Sequence, residues 1–153
     1  MYDDGDGPPR PGGPREAQAR AAEVRVAFEG MLQIRRLTNT GADPASVPAP
    51  WELGRMVRAV ALALEAAGIT PSAVDADSGR RVATGYRVGP AADEPGTVTV
   101  EWLGPPGSGA AGEEEGALAD CARVLQRLGW DALVYRGRSR RRFVEVRPPH
   151  PGG

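Results

Sequence analysis

The strongest constraint on the fold is a two-residue alternation of apolar and polar side chains along several short stretches. TVTVEWL (97–103) alternates over its whole length, so it predicts a strand with one apolar face. WDALVYR (130–136) and RRFVEVR (141–147) predict two further strands, joined by a tight turn around Gly137–Ser139. A weaker alternation covers 82–88. Strands of this kind belong to an antiparallel sheet that has one covered face.

Two amphipathic helices are predicted to cover that face. The first runs over 51–67, begins after Pro50 and ends at Gly68, which suits a left-handed cap. The second follows the loop at 104–116 and ends at Gly129. Their predicted buried stripes are Leu53, Val57, Val60 and Leu64 in the first helix, and Leu118, Cys121, Leu125 and Leu128 in the second.

These elements predict an α+β domain over 51–147, with the order α-β-β-β-α-β-β. An antiparallel sheet of four or five strands carries the two helices on one face. An extra N-terminal helix is predicted over 15–37, where apolar residues recur at alternating spacings of four and three. Residues 38–50 are predicted to form a linker, and residues 1–14 and 148–153 are predicted to be disordered tails rich in Gly and Pro.

The composition is that of a globular protein with an unusual choice of basic residue. All 19 basic residues are arginine, and Ala, Gly and Pro are also abundant, which a GC-rich bacterial genome explains. Selection for bidentate contacts to phosphate or carboxylate is the alternative. A single cysteine cannot form an internal disulfide, which favours a reducing cytoplasm. No apolar stretch is long enough to predict a membrane span, and the acidic N-terminus is unlike a signal peptide.

Charge is divided unevenly along the chain. Residues 39–116 carry five arginines against eleven acidic residues, whereas residues 117–153 carry eight arginines against three. The basic end centres on the predicted hairpin, and its arginines are the candidate residues for binding a macromolecule. These hairpin arginines are Arg136, Arg138, Arg140, Arg141, Arg142 and Arg147. These arginines can bind phosphates, prevent another strand from pairing with the sheet edge, or form ion pairs with acidic residues such as those at 113–115.

Catalytic chemistry is not predicted. Gly104 and Gly109 have the spacing of a nucleotide phosphate loop, but alanines replace the lysine and the hydroxyl residue that should follow. Three glutamates at 113–115 then stand where a phosphate would lie. His150 lies among prolines near the end of the chain, and Cys121 occupies an apolar helix stripe. The sequence therefore predicts no enzyme, no cofactor and no metal site.

The element order of residues 51–147 resembles that of bacterial secretion-chaperone-like domains. This resemblance implies a module that binds extended polypeptide and dimerises. The first helix, the three strands and the second helix also resemble the order of double-stranded-RNA-binding domains, which place basic residues where this chain has Glu113–Glu115.

The sequence thus predicts a non-enzymatic, cytoplasmic protein-binding module, adaptor-like or chaperone-like. A homodimer through helix 15–37 or through a sheet edge is part of this expectation. The alternative is a nucleic-acid-binding accessory protein that uses the arginine-rich hairpin.

Overall fold

Four helices and two antiparallel sheets make up this α+β protein, whose computed structural model describes residues 3–10, 12–137 and 141–150. The helices are α1 (Pro14–Thr38), α2 (Pro50–Gly54), α3 (Met56–Ala66) and α4 (Ala110–Arg127). The strands are β1 (Ala73–Val74), β2 (Arg81–Ala83), β3 (Gly85–Pro90), β4 (Val98–Leu103), β5 (Asp131–Arg136) and β6 (Arg142–Arg147). No helix among the described residues is both long and apolar enough to cross a membrane.

The main sheet has four strands in the order β3-β4-β6-β5, and every neighbouring pair is antiparallel. Helices α3 and α4 pack on one face, as the sequence predicts, and the core lies between them and the sheet. The largest fully packed sheet side chains in this core are Tyr86, Val88, Val98, Val100, Val144 and Val146. The opposite face, called the open face below, carries Arg87, Thr99, Glu101, Leu133, Tyr135, Phe143 and Glu145.

The stretch predicted as one strand over 82–88 is divided in two at Thr84. Its first part, β2, pairs with β1 in a separate two-stranded sheet and leaves Val82 half exposed. Its second part, β3, joins the main sheet. Gly85 is the first residue of β3, and a Cβ atom there would stand 2.1 Å from the Thr70 carbonyl oxygen. This close approach of residues 70–71 explains the break, and no local alternation reveals it.

The single helix predicted over 51–67 is also wrong in one respect, because it is two helices. Arg55 has φ −141° and ψ 55°, which ends α2 and begins α3 in a new direction. Val60 and Leu64 are buried as predicted, but Leu53 is exposed. Because of this change in backbone direction, the Leu53 side chain on α2 points toward solvent and the Glu52 side chain points into the protein.

Both predicted glycine caps are confirmed. Gly68 and Gly129 have φ values of +86° and +87°, in the left-handed region. The next residue in each case, Ile69 or Trp130, donates its backbone N–H to a carbonyl five residues earlier, at 3.1 Å and 3.0 Å. This is the Schellman arrangement that ends many helices.

Helix α1 packs on α3, and a buried ion pair fixes its C-terminal half. Val24 and Met31 meet Leu62 in a second apolar cluster. Arg35 and Glu52 are both 0% exposed and form a bidentate pair at 2.8 Å and 2.7 Å. Arg35 Nη1 also donates to the carbonyl oxygens of Ala45 and Leu128. The segment predicted as a linker is therefore held between α1, α2 and the end of α4.

Residues 3–10, called the N-terminal arm below, contact the body of the protein, although their composition predicts a tail. Asp6 forms a bidentate ion pair with Arg81, at 3.0 Å and 2.8 Å. The hydroxyl of Tyr86 donates to the carbonyl oxygen of Asp3 at 2.7 Å. Arg10 reaches Glu65 on α3 at 2.8 Å. The arm lies alongside β3 as a result.

Candidate interaction surface

The hairpin arginines that the structure describes lie at the ends of the last two strands. Arg136 ends β5, Arg141 precedes β6, and Arg142 and Arg147 are the first and last residues of β6. Arg138 and Arg140 lie outside the described residues. The described four are therefore not one cluster, because Arg147 stands at the opposite end of β6 from the other three.

Arg142 is neutralised by the start of α4. Its guanidinium lies 4.0 Å from a carboxylate oxygen of Glu114 and 3.7 Å from one of Glu115. Its backbone N–H donates to Glu114 Oε1 at 2.7 Å. The pairing of β4 with β6 stops at Val100 and Val144, so the Glu114 carboxylate takes the place of the next strand carbonyl. Arg142 therefore helps to hold the hairpin on α4.

Arg147 is neutralised by the acidic part of the chain. Its Nη2 atom lies 2.8 Å from Glu94 Oε2 and also contacts the carboxylate of Glu145. The hydrogen bond that Arg147 donates to the Glu145 carboxylate raises the pKa of Arg147. Two of the four described hairpin arginines are thus engaged in ion pairs within the chain.

Arg136 and Arg141 remain open to solvent. Both are exposed, and neither forms an ion pair with another residue in the part of the chain that the structure describes. Arg136 also lies directly opposite Arg142 across the hairpin. Among the described residues, Glu114 and Glu115 compensate only Arg142, so the uncompensated positive charge of the hairpin is that of Arg136 at the end of β5 and of Arg141 just before β6.

One edge of the main sheet is covered by the chain itself. Along β3, the backbone N–H of Val88 donates to Asp4 at 2.7 Å, and that of Tyr86 donates to Thr70 at 3.0 Å. The N–H of Ser72 donates back to the Tyr86 carbonyl oxygen at 2.9 Å. The N-terminal arm and residues 70–72 therefore occupy this edge and leave little room for another strand.

The other edge, β5, pairs with no further strand among the described residues. Gly137 N–H donates to the Arg141 carbonyl oxygen at 2.7 Å, which makes these two a hydrogen-bonded pair of the hairpin. Such pairs recur at every second residue, so the backbone groups of Ala132, Val134 and Arg136 point away from β6. Gln126 confirms this direction, because its side-chain amide donates to the Ala132 carbonyl oxygen at 2.7 Å. The outward groups of Val134 and Arg136 have no partner within the described ranges.

The same edge exposes three consecutive apolar side chains. Leu133 is 50% exposed, Val134 is 40% exposed and Tyr135 is 42% exposed. Tyr135 stacks on Phe143 with ring centroids 6.0 Å apart, so the apolar surface extends onto β6. An exposed apolar edge strand is a template for pairing with another chain, and proteins normally cover or charge such edges. We call Ala132–Arg136, with their outward backbone groups, the β5 edge.

A groove of about 720 Å³ crosses the open face beside this edge. Its floor includes Thr99, Phe143 and Glu145, and its far wall is the turn over residues 89–94. An ion pair at 3.0 Å between Arg87 and Glu101 lies along it. Charged and apolar groups therefore both line the groove, and Phe143 lies on its β5 side.

The residues weighed for catalysis lie apart from one another. Cys121 is fully buried in α4, and burial raises the pKa of its thiol to about 12. His150 is exposed and lies 3.9 Å from the carboxylate of Asp131. The glycine-rich loop lines a separate cavity of about 450 Å³, into which Glu114 also faces. No group of three or more possible metal ligands occurs among the described residues.

Sequence reasoning therefore located the hairpin but missed the bare edge beside it. The available signal was the run of Leu133, Val134 and Tyr135, which is apolar on both faces of a strand. The covering of β3 by the N-terminal arm had no such signal. Compared with protein-family models, with curated proteins and with solved structures, the chain finds no match.

Proposed function

We propose that this protein is a non-enzymatic protein-binding module that takes up an extended segment of polypeptide along the β5 edge. The observation that carries this proposal is the bare edge with three exposed apolar side chains in a row, Leu133, Val134 and Tyr135. An added strand satisfies the outward backbone groups and covers these side chains at the same time.

The distribution of charge supports a protein partner over nucleic acid. Phosphate binding depends on several arginines that are free to release counterions. Here Arg142 and Arg147 are already paired with glutamates. The exposed surface beside the remaining Arg136 and Arg141 is apolar, which suits a polypeptide strand better than a phosphate backbone.

The test is affinity capture with a tagged chain, followed by identification of every bound polypeptide, including an untagged copy of the chain. The edge variant is Val134→Lys, which places a charge on the bare strand. The matched control is Val26→Lys, because Val26 is 72% exposed on α1, away from the sheet.

We expect the wild-type chain and Val26→Lys to retain a polypeptide in near-stoichiometric amount, and Val134→Lys to lose it. Equal recovery by Val134→Lys would remove the β5 edge from the proposal. A wild-type chain that retains no polypeptide, and that is monomeric when pure, would overturn the proposal altogether.

A second candidate function is nucleic-acid binding by the hairpin, which is favoured by Arg136 and Arg141, both exposed and without an ion-pair partner among the described residues. Its test is a gel-shift titration at low and high salt, because phosphate contacts weaken steeply as salt rises. The variant is Arg136→Ala/Arg141→Ala, and the control that removes equal charge is Arg15→Ala/Arg25→Ala on α1. A salt-sensitive shift that only the first variant abolishes would favour this function, and no shift at low salt would eliminate it.

A further inference from the structure

We infer that the occupant of the β5 edge is the β5 edge of a second copy of this chain. The two strands pair antiparallel about a two-fold axis at Val134, which joins two four-stranded sheets into one of eight strands. This inference rests on the proposed function, because it names the partner at the same edge.

The direction of the backbone groups restricts the register, and the match of side chains described below selects one of the registers that remain. Residues whose N–H and C=O groups point outward must face one another in an antiparallel pair. On β5 these are Ala132, Val134 and Arg136, so a symmetric arrangement centred on the strand pairs Val134 with Val134 of the second copy. Ala132 then faces Arg136 of that copy, where the small alanine leaves space for the arginine stem. About four backbone hydrogen bonds form without displacing Gln126 from the Ala132 carbonyl oxygen.

The apolar side chains match in this register. Leu133 of each copy lies directly opposite Tyr135 of the other on the open face, where facing side chains are closest. Tyr135 already stacks on Phe143 of its own chain. Phe143, Tyr135 and the second copy's Leu133 therefore form a continuous apolar strip across the junction. The two-fold axis generates a second, identical strip. On the helix-covered face, the two Val134 side chains meet at the axis.

The charges at the two ends of β5 are complementary between copies. Asp131 lies opposite Gly137 of the second copy in this register. Gly137 has no side chain, and its hairpin neighbour is Arg141, which is exposed on the same face. Each Asp131 carboxylate thus faces the second copy's Arg141 across a gap that only a glycine occupies. A partner strand of unrelated sequence has no reason to carry an acid at this position.

The association closes at two copies. A two-fold junction uses the same edge of both chains, and the opposite edge, β3, is occupied by the N-terminal arm and residues 70–72. The product is a discrete dimer and not an open-ended stack of sheets.

Sedimentation of the pure protein over a wide concentration range tests the association. We expect a wild-type dimer, and we expect Val134→Lys to raise its dissociation constant at least about tenfold. Val26→Lys, on the exposed side of α1, leaves the dimer unchanged. Circular dichroism confirms that both variants are folded. A wild-type monomer at every concentration overturns the inference, as does a dimer that Val26→Lys dissolves and Val134→Lys does not.

Disulfide cross-linking tests the register even if Val134→Lys fails to fold. In Val134→Cys the two new cysteines face each other with Cα atoms about 5.5 Å apart, which suits a disulfide. In Arg136→Cys they stand about 14 Å apart, since four residues of strand separate them. Cys121 does not compete, because it is buried and its thiol pKa is raised to about 12. We expect oxidation to link the first variant and not the second, and the reverse result overturns the inference.

A charge exchange distinguishes a second copy from any other strand. Asp131→Arg weakens the dimer about two- to thirtyfold, the range of the two exposed ion pairs that the symmetric dimer contains, and Asp131→Arg/Arg141→Asp restores it. Failure of the double variant to recover any affinity would contradict the assigned ion pair. If the pure chain is monomeric but captures another polypeptide in a Val134-dependent manner, the inference fails while the proposed function stands.

Discussion

At the scale of single residues, the buried pair of Arg35 and Glu52 is a contact whose disruption should have a large energetic consequence. Arg35 continues the four-three spacing of the α1 stripe beyond Met31, so its inward direction follows from the sequence. Its partner does not, because Glu52 turns inward only where the non-helical Arg55 ends α2. Local pattern can place a side chain on a face, but it cannot supply the long-range partner that makes its burial tolerable.

Removing one member of this pair leaves a buried charge without compensation. We expect Arg35→Met to lower the free energy of unfolding by about 3–5 kcal/mol, measured by denaturant titration. The double variant Arg35→Met/Glu52→Gln replaces both charges and should recover much of that loss. If the double variant loses as much free energy of unfolding as Arg35→Met does, or more, then the loss does not come from an uncompensated buried charge.

Glu65 determines part of the acid stability. Burial raises the pKa of its carboxyl, but hydrogen bonds from Arg20 and Arg10 outweigh this effect and leave the pKa below its usual value. Because the pKa is lower in the folded state, the stabilisation is complete above the unfolded value of about 4.3 and is lost as pH falls through the folded value.

Glu65→Gln should therefore cost about 1–2 kcal/mol of unfolding free energy at neutral pH, and its stability should vary less between neutral pH and acid. Thermal unfolding at a series of pH values measures both effects. Glu23→Gln is the control, because the Glu23 side chain is 72% exposed and its carboxylate is as far as 3.9 Å from the Arg20 guanidinium. An identical pH profile for wild type and Glu65→Gln would exclude this role.

At the scale of elements, the sequence predicts well the elements whose signals are local. Strands β4, β5 and β6 and the glycine caps of α3 and α4 lie where alternation and turn chemistry place them. The prediction fails at Thr84 and Arg55, where contacts with distant segments interrupt a regular pattern. The N-terminal arm shows the same limit, since Asp6 and Arg81 are 75 residues apart in the chain.

The N-terminal arm leads to a further prediction, because the backbone at Gly5 leaves no space for a side chain. Gly5 has φ +99°, and a Cβ atom there would lie 2.3 Å from the Tyr86 carbonyl oxygen and 2.6 Å from Arg87 Cα. Gly5→Ala should detach the arm, cost about 1–3 kcal/mol and speed hydrogen exchange at the Val88 amide. At Gly7 a Cβ meets only the Asp3 carboxylate at 3.8 Å, so Gly7→Ala should leave that exchange unchanged. Equal exchange in both variants would contradict this account.

At the scale of the whole molecule, the sequence correctly predicts a basic C-terminal end on an acidic body. The structure shows that the two parts partly neutralise each other. Arg142 meets Glu114, 28 residues away, and Arg147 meets Glu94, 53 residues away. The total charge of a segment is therefore larger than the unpaired charge that is available to bind a partner. The surface left open is the apolar β5 edge, with Arg136 at one end and Asp131 at the other.

A dimer joined at this edge couples folding to concentration. Because two folded chains associate and unfolded chains do not, mass action stabilises the native state as the protein concentration rises. The wild-type unfolding midpoint should therefore rise by about 2–4 °C over a tenfold increase in concentration, as scanning calorimetry measures it. At concentrations below the raised dissociation constant of Val134→Lys, the midpoint of that variant should stay constant, whereas Val26→Lys should follow the wild type. A wild-type midpoint that does not depend on concentration would mean that the β5 edge is not closed by a second copy.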